Sequence, residues 1–200
     1  MKKFWIAAVA LIVALGGCNK ENAGQPATDT TGTAQSASET STASATTTGS
    51  TGGVVTNMTA EDKEFVSKAG MGGMAEVQMG NLALSKASNA DVIAFGQRMV
   101  TDHSQANQEL QQLATTKGLA LPTELAGEHK EAFDMLSGLT GSAFDKAYMK
   151  HMVEDHEKDV AEFDKASTSA TDADVKGWAG KTLPTLKSHL DQAKATAKKL

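Results

Sequence analysis

The chain has 200 residues, a net charge of −5 and an isoelectric point near 5.5. It therefore lacks the excess of Lys and Arg that neutralises phosphates, and nucleic acid is not an expected partner. Six Phe, two Trp, one Tyr, three Pro and one Cys argue against an all-β sandwich and a disulfide scaffold, which leaves helix as the prior.

Lys2 and Lys3 precede an apolar run from Phe4 to Leu15, followed by Gly16, Gly17 and Cys18. This is the pattern of a secretion signal. The run is too short for the roughly 20 residues of a bilayer-spanning helix. Leu15-Gly16-Gly17-Cys18 resembles the lipobox of bacterial lipoproteins, in which the Cys is acylated and becomes the mature N-terminus. The alternative is a plain signal peptide with a stray thiol, and the scarcity of lone exposed Cys in secreted chains favours lipidation of Cys18. Two acyl attachments would hold the chain stably on a membrane. Asn19 stands where inner-membrane lipoproteins carry Asp, so the resemblance implies outer-membrane sorting and a periplasm-facing domain in the cell envelope.

Residues 1–17 are thus read as leader and 18–57 as the acylated Cys with a tether. Of the 39 residues from 19 to 57, 27 are Thr, Ser, Ala or Gly, and the only bulky apolar ones are Val54 and Val55. Such a segment cannot form a core. As a flexible coil it reaches about 35 Å. The charges of leader and tether cancel, so residues 58–200 carry the whole −5.

From Thr59 the pattern becomes helical. Thr59, Ser88, Ser142 and Thr171 each stand where a hydroxyl would cap a helix, with Asp62, Asp91, Asp145 and Asp174 three residues on. Apolar residues recur at three and four, through Val92, Phe95, Met99, Leu110 and Leu113, and again through Phe144, Tyr148, Met152, Val160 and Phe163. Long helices are predicted near 60–87, 91–117, 142–168 and 172–199, with a stop at Lys117-Gly118 and a shorter helix between Glu124 and Ser137.

The second and third long helices share a phrase. Arg98-Met99-Val100-Thr101-Asp102-His103 is echoed by His151-Met152-Val153-Glu154-Asp155-His156. Met and His four apart share one helix face, which is also the apolar stripe, so both histidines are predicted to point inward.

With Gly73-Met74-Ala75-Glu76-Val77-Gln78-Met79-Gly80, Leu121-Pro122-Thr123 and Leu183-Pro184-Thr185-Leu186-Lys187-Ser188-His189-Leu190, these phrases resemble the bacterial family called domain of unknown function 4142. The resemblance covers nearly all of residues 59–197 and implies a ferritin-like helical bundle in an exported protein, without an established activity. The chain departs from the ferritin di-iron pattern of Glu and His three apart, because Val100, Val153 and Leu186 stand where the acids would be.

The predicted fold is all-α: a ferritin-like four-helix bundle with a long connection, containing a short helix, between the second and third long helices. In that topology a tight hairpin sets Glu76 level with His103, and a crossover sets His156 and His189 within about 6 Å of the same height. The stretch from Gly118 to Gly141 reaches roughly 54 Å, enough to cross back along helices about 40 Å long. Glu76, His103, His156 and His189 are therefore candidate ligands for Zn, Cu, Fe or Mn. The competing reading makes them core histidines satisfied by neighbouring carboxylates, with Tyr148 as a further partner. Asp102 and Asp155 are expected either to orient histidines of an adjacent helix or to pair on the surface with Arg98 and His151. Met99 and Met152 are candidate thioethers for Cu(I), though packing is their commoner role. His129, among Glu128, Lys130 and Glu131, is expected in solvent.

Gly72, Gly73 and Gly80 each cost roughly 1 kcal/mol in a helix and imply close approach of a neighbour. Pro184 is expected to kink the last helix one turn before His189. No nucleophile with a base at recognisable spacing and no phosphate loop appears, so enzymatic activity has no sequence support. The functions expected are a membrane-anchored envelope module that binds a protein partner or maintains the envelope, or alternatively a metal-binding or metal-oxidising bundle.

Overall fold

The computed structural model describes residues 58–200, so the leader, Cys18 and the tether lie outside the described residues. Five helices follow in order: α1 Ala60–Lys86, α2 Ala90–Thr116, α3 Gly127–Ser137, α4 Gly141–Ser169 and α5 Ala173–Ala197. Among the described residues there is no strand, and no helix is long and apolar enough to cross a membrane.

Only one of the four expected caps has the expected form. Thr59 and Asp62 make a reciprocal capping box at the start of α1. The caps of α2 and α5 are Asn89 and Asp172, one residue beyond the hydroxyls expected, because each carboxyl or amide oxygen accepts two backbone N–H groups of the first turn. α4 starts after Thr140 without a side-chain cap. Ser142, the hydroxyl expected to cap it, lies inside the helix, and the acid three residues on, Asp145, accepts from Ser88 N at 3.0 Å, Ser88 Oγ at 2.6 Å and Asn89 N at 3.1 Å. Buried capping acids here serve as tertiary staples.

These staples define the topology. Asp145 ties the start of α4 to the α1–α2 turn, and Asp62 at the start of α1 accepts from Thr171 N and Asp172 N, both at 3.1 Å. Lys117 at the end of α2 meets Asp172 and Asp174 at 2.7 Å, while Lys199 reaches Asp91 at 2.9 Å. α4 therefore runs in the direction of α2, and α5 in that of α1. The connection between α2 and α4 travels back along the bundle, and its α3 lies against α1 and α4. Gly118, at φ +66°, supplies the left-handed turn that ends α2.

The core forms two apolar clusters. One, toward the α1–α2 turn, includes Met79, Phe95, Met99, Phe144, Tyr148 and Met152; the other, toward the α4–α5 turn, includes Val66, Leu110, Phe163, Trp178, Leu183 and Leu186. Between them each long helix contributes a buried ionisable residue, Glu76, His103, His156 and His189 in turn. Tight helix approach explains Gly80, where a Cβ would meet the Gly96 carbonyl oxygen at 2.9 Å, whereas Gly73 is covered by the Asn107 side chain and the buried Gly72 has room for a Cβ, with His129 Cε1 at 4.0 Å. Pro184 lies inside an α5 that continues to Ala197.

Candidate metal centre

The structure brings Glu76 of α1, His103 of α2, His156 of α4 and His189 of α5 into one buried layer. His156 and His189 have no exposed surface, and Glu76 and His103 are 2% and 5% exposed. One ring nitrogen from each histidine lies within 4.8 Å of those of the other two.

Hydrogen bonding sets the ring tautomers. His156 Nδ1 is 3.0 Å from the Met152 carbonyl oxygen, which only accepts, so Nδ1 carries the proton and Nε2 is bare. His189 Nε2 lies 2.8 Å from Asp102 Oδ2 and donates to it, which leaves Nδ1 bare. His103 Nδ1 donates to Glu76 Oε2 at 2.7 Å, and its Nε2 is buried with no partner among the described residues. Two bare nitrogens, His156 Nε2 and His189 Nδ1, consequently face each other at 3.4 Å, with Glu76 Oε1 3.2 Å from the former. Those approaches bring acceptor to acceptor, so Glu76 Oε1 is also unpartnered among the described residues.

The electrostatics fit this assignment. Burial lowers His103 and His189 to about 4 and holds His156 well below its ordinary range, with the neighbouring imidazoles adding to the effect at His156 and His189. All three rings are neutral at pH 7. Burial, then the nearby Asp155, raises Glu76 well above the usual carboxylate range. For Asp102, burial pushes upward, but hydrogen bonds from His189 and Arg98 outweigh it and keep the carboxylate ionised. Neutral imidazoles whose second nitrogens are tied to a carbonyl or carboxylate have the form that binds transition metals. The three imidazoles, with Glu76 Oε1 beside His156 Nε2, offer nitrogen and oxygen donors of the kinds that suit Zn(II), Cu(II), Fe(II) or Mn(II).

The supporting residues divide. Asp102 takes both roles expected of it, with Arg98 Nε at 3.2 Å and His189. The surface pair expected of Asp155 and His151 does not form: Asp155 is 5% exposed, and its Oδ2 and His151 Nε2 have no partner among the described residues. Neighbouring helices cover α4 here, so these groups do not reach open solvent. His129 likewise departs from expectation, half-buried beside Gly72 with Nδ1 unpartnered among the described residues. Tyr148 stacks on Phe144 at 5.4 Å, its hydroxyl also lacking a partner among the described residues, while burial and the Glu76 charge push its pKa upward. Met99 and Met152 pack in the apolar cluster, though the Met152 carbonyl orients His156.

Asp159 escaped the sequence reading. One of its carboxylate oxygens joins atoms of Glu76 and His156 in a second group spanning at most 4.8 Å. Its signal was the spacing of three from His156, which shares a helix face; the repeat hid it, since the residue three beyond His103 is Ala106.

A family model described as "Domain of unknown function (DUF4142)" matches residues 39–196, and the chain belongs to that family. No curated protein matches the chain. Among solved structures it resembles a DUF305 fragment from Deinococcus radiodurans, with 12% identity and a TM-score of 0.63 over 72% of this chain and 99% of that one. It also resembles CopM in a Cu(I)-bound form, with 13% identity and a TM-score of 0.58 over 69% and 96%. A putative secreted DUF305 protein from Streptomyces coelicolor aligns with 13% identity and a TM-score of 0.57 over 66% and 89%. At such identities the likeness shows a shared helical fold.

Proposed function

We propose that the domain binds one divalent transition-metal ion through His103, His156, His189 and Glu76, in a ferritin-like four-helix arrangement crossed by α3. The observation that carries this is the convergence of one nitrogen from each of three buried imidazoles within 4.8 Å, with Glu76 Oε1 3.2 Å from His156 Nε2 and His103 Nε2 unpartnered among the described residues. A core built of satisfied histidines would offer a donor at each of those atoms. Metal-free, the layer is relieved by protonation: a proton on Glu76 Oε1 donates to His156 Nε2. Occupancy would displace that proton and tie together all four long helices.

Imidazole ligands favour Cu(II) and Zn(II) over Fe and Mn in the divalent series. The Cu(II)-bound form of CopM supports copper within that pair. With the Met sulfurs in an apolar cluster, the donor set suits a divalent ion better than Cu(I). Full burial of the ligands favours holding an ion over turnover. The bundle would do this in the cell envelope, carried by acylated Cys18 and its tether at the outer membrane, so that its protein partners would be other envelope components.

Titration calorimetry of the untagged, metal-free protein with Zn(II) and Cu(II) is expected to give one ion per chain, a metal-dependent rise in Tm and release of close to one proton. Absence of stoichiometric binding and of a Tm shift overturns the metal reading. Cys18→Ser should move the protein from membrane to soluble fractions, and unchanged fractionation overturns the anchor.

A further inference from the structure

A buried centre needs a way in. The donors of the imidazole trio have almost no exposed surface, but a small cavity beside Glu76 and His103 is also lined by Gly73, Asn107 and Asp159. Outside it lies a cleft of about 460 Å³ whose walls include Gly72, His129, Asp155 and, again, Asp159. Asp159 is thus common to the inner cavity and the outer cleft. Ser67, Lys68 and Met71 of α1 also line the cleft, but at Gly72 there is no side chain, and a Cβ there would find nothing nearer than His129 Cε1 at 4.0 Å.

This flank collects negative charge without a buried cation among the described residues. Glu76, Asp155 and Asp159 lie near one another, and Glu76 Oε1 and Asp155 Oδ2 are buried and unpartnered among those residues. The lysines that line the cleft, Lys68 and Lys158, are exposed and held by Glu64 at 2.8 Å and Glu128 at 2.6 Å. Buried carboxylates without counter-ions favour either protons or a metal cation.

We propose that Glu76, His156 and Asp159 form a loading position that takes a divalent cation from the cleft and hands it to His103 and His189. The proposal rests on the trio being the final metal site. Two features of the geometry support a relay. His156 belongs to both donor groups, so the hand-over trades carboxylates for imidazoles around a ligand that is kept throughout, without complete release. His156 has a single bare nitrogen, because Nδ1 is committed to the Met152 carbonyl, so the two positions are alternatives and one ion binds per chain. Carboxylate oxygens suit the arriving, partly hydrated ion, and imidazoles suit the dehydrated one.

Stopped-flow uptake of Zn(II), followed with a competing chromophoric chelator on the full chain, tests this. Asp159→Asn is expected to keep one ion per chain with affinity within about threefold of wild type, because the final ligands remain. Its loading and release should both slow by about tenfold or more. Gly72→Leu, which narrows the cleft without touching a ligand, should also slow loading, and circular dichroism would check that both variants fold. Unchanged loading in either folded variant overturns the relay, as does loss of equilibrium binding in Asp159→Asn, which would make Asp159 a permanent ligand. If wild-type protein takes up no Zn(II), the trio itself fails, an outcome distinct from a trio that binds with Asp159-independent rates.

Discussion

The two flanks of the polar layer obey different rules. On the α2–α5 flank, Asp102 accepts from His189 and Arg98, and the same guanidinium continues to Gln192 Oε1 at 2.7 Å and Ser188 Oγ at 3.1 Å. On the flank facing α3, Asp155 Oδ2, His151 Nε2 and His129 Nδ1 stand without partners among the described residues. One flank is a completed network that orients a ring; the other stores unsatisfied polarity, which the core tolerates only where a proton or cation can arrive.

The strongest way to break this comparison is at a shared ligand. His156→Ala should weaken Zn(II) or Cu(II) binding by about a thousandfold or more, since a four-ligand site is worth ~10–16 kcal/mol in total. Calorimetry that leaves the affinity within tenfold would defeat the assignment.

The metal-free protein should next reveal its buried neutral histidines. His103 titrates at about 4 when folded, against roughly 6.5 when unfolded, so between those values the unfolded chain binds a proton that the folded chain refuses. Stability from this ring is complete above about pH 6.5 and is lost as pH falls toward 4, a loss of about 3 kcal/mol for His103 alone. Glu76, raised by burial, acts in the opposite sense, being stabilising below its unfolded value and losing that contribution as pH rises through its folded one. Glu76→Gln should therefore make the acid loss steeper than in wild type, by about 1.4 kcal/mol per pH unit. Urea midpoints between pH 4.5 and 7.5 would show it; parallel profiles would mean that Glu76 is not proton-linked to folding.

The two aspartates then sharpen the contrast between flanks. Asp102→Asn should lower metal affinity by about 10- to 100-fold, because His189 loses the carboxylate that fixes its tautomer. It should also destabilise the metal-free fold by about 1–2 kcal/mol. Asp155→Asn, the smallest effect, should raise metal-free stability by up to about 1 kcal/mol, because a neutral amide replaces a buried carboxylate whose Oδ2 has no partner among the described residues. Equal destabilisation by both variants in chemical denaturation would erase the distinction.

Much of this layer was legible in the chain. The repeated Met-x-x-x-His phrase placed His103 and His156 on apolar stripes, and counting residues from the hairpin set Glu76 and His189 at their height. Capping was less legible. Asp145 and Asp62 carry the local signature of helix starts, but their carboxylates bind turns 57 and 110 residues away in the chain, and no local pattern encodes such a bond. The surface pairing expected of Asp155 and His151 failed for the same reason: four-residue spacing predicts who can touch, while burial by α1 and α3 decides what is wet.

What the sequence by itself determined is the helical period, the positions of the stops and the residue types on each inward face, because these depend on interactions within a few turns of one helix. Tertiary structure alone decided which nitrogen of each ring is bare, since that depends on a Met152 carbonyl, an Asp102 carboxylate and a Glu76 carboxylate arriving at particular distances. It also decided that Asp159 belongs with Glu76, a pairing across two helices 83 positions apart in the chain. Periodicity specifies a face, whereas donor convergence requires ångström-scale placement from several helices at once, and only packing sets that scale.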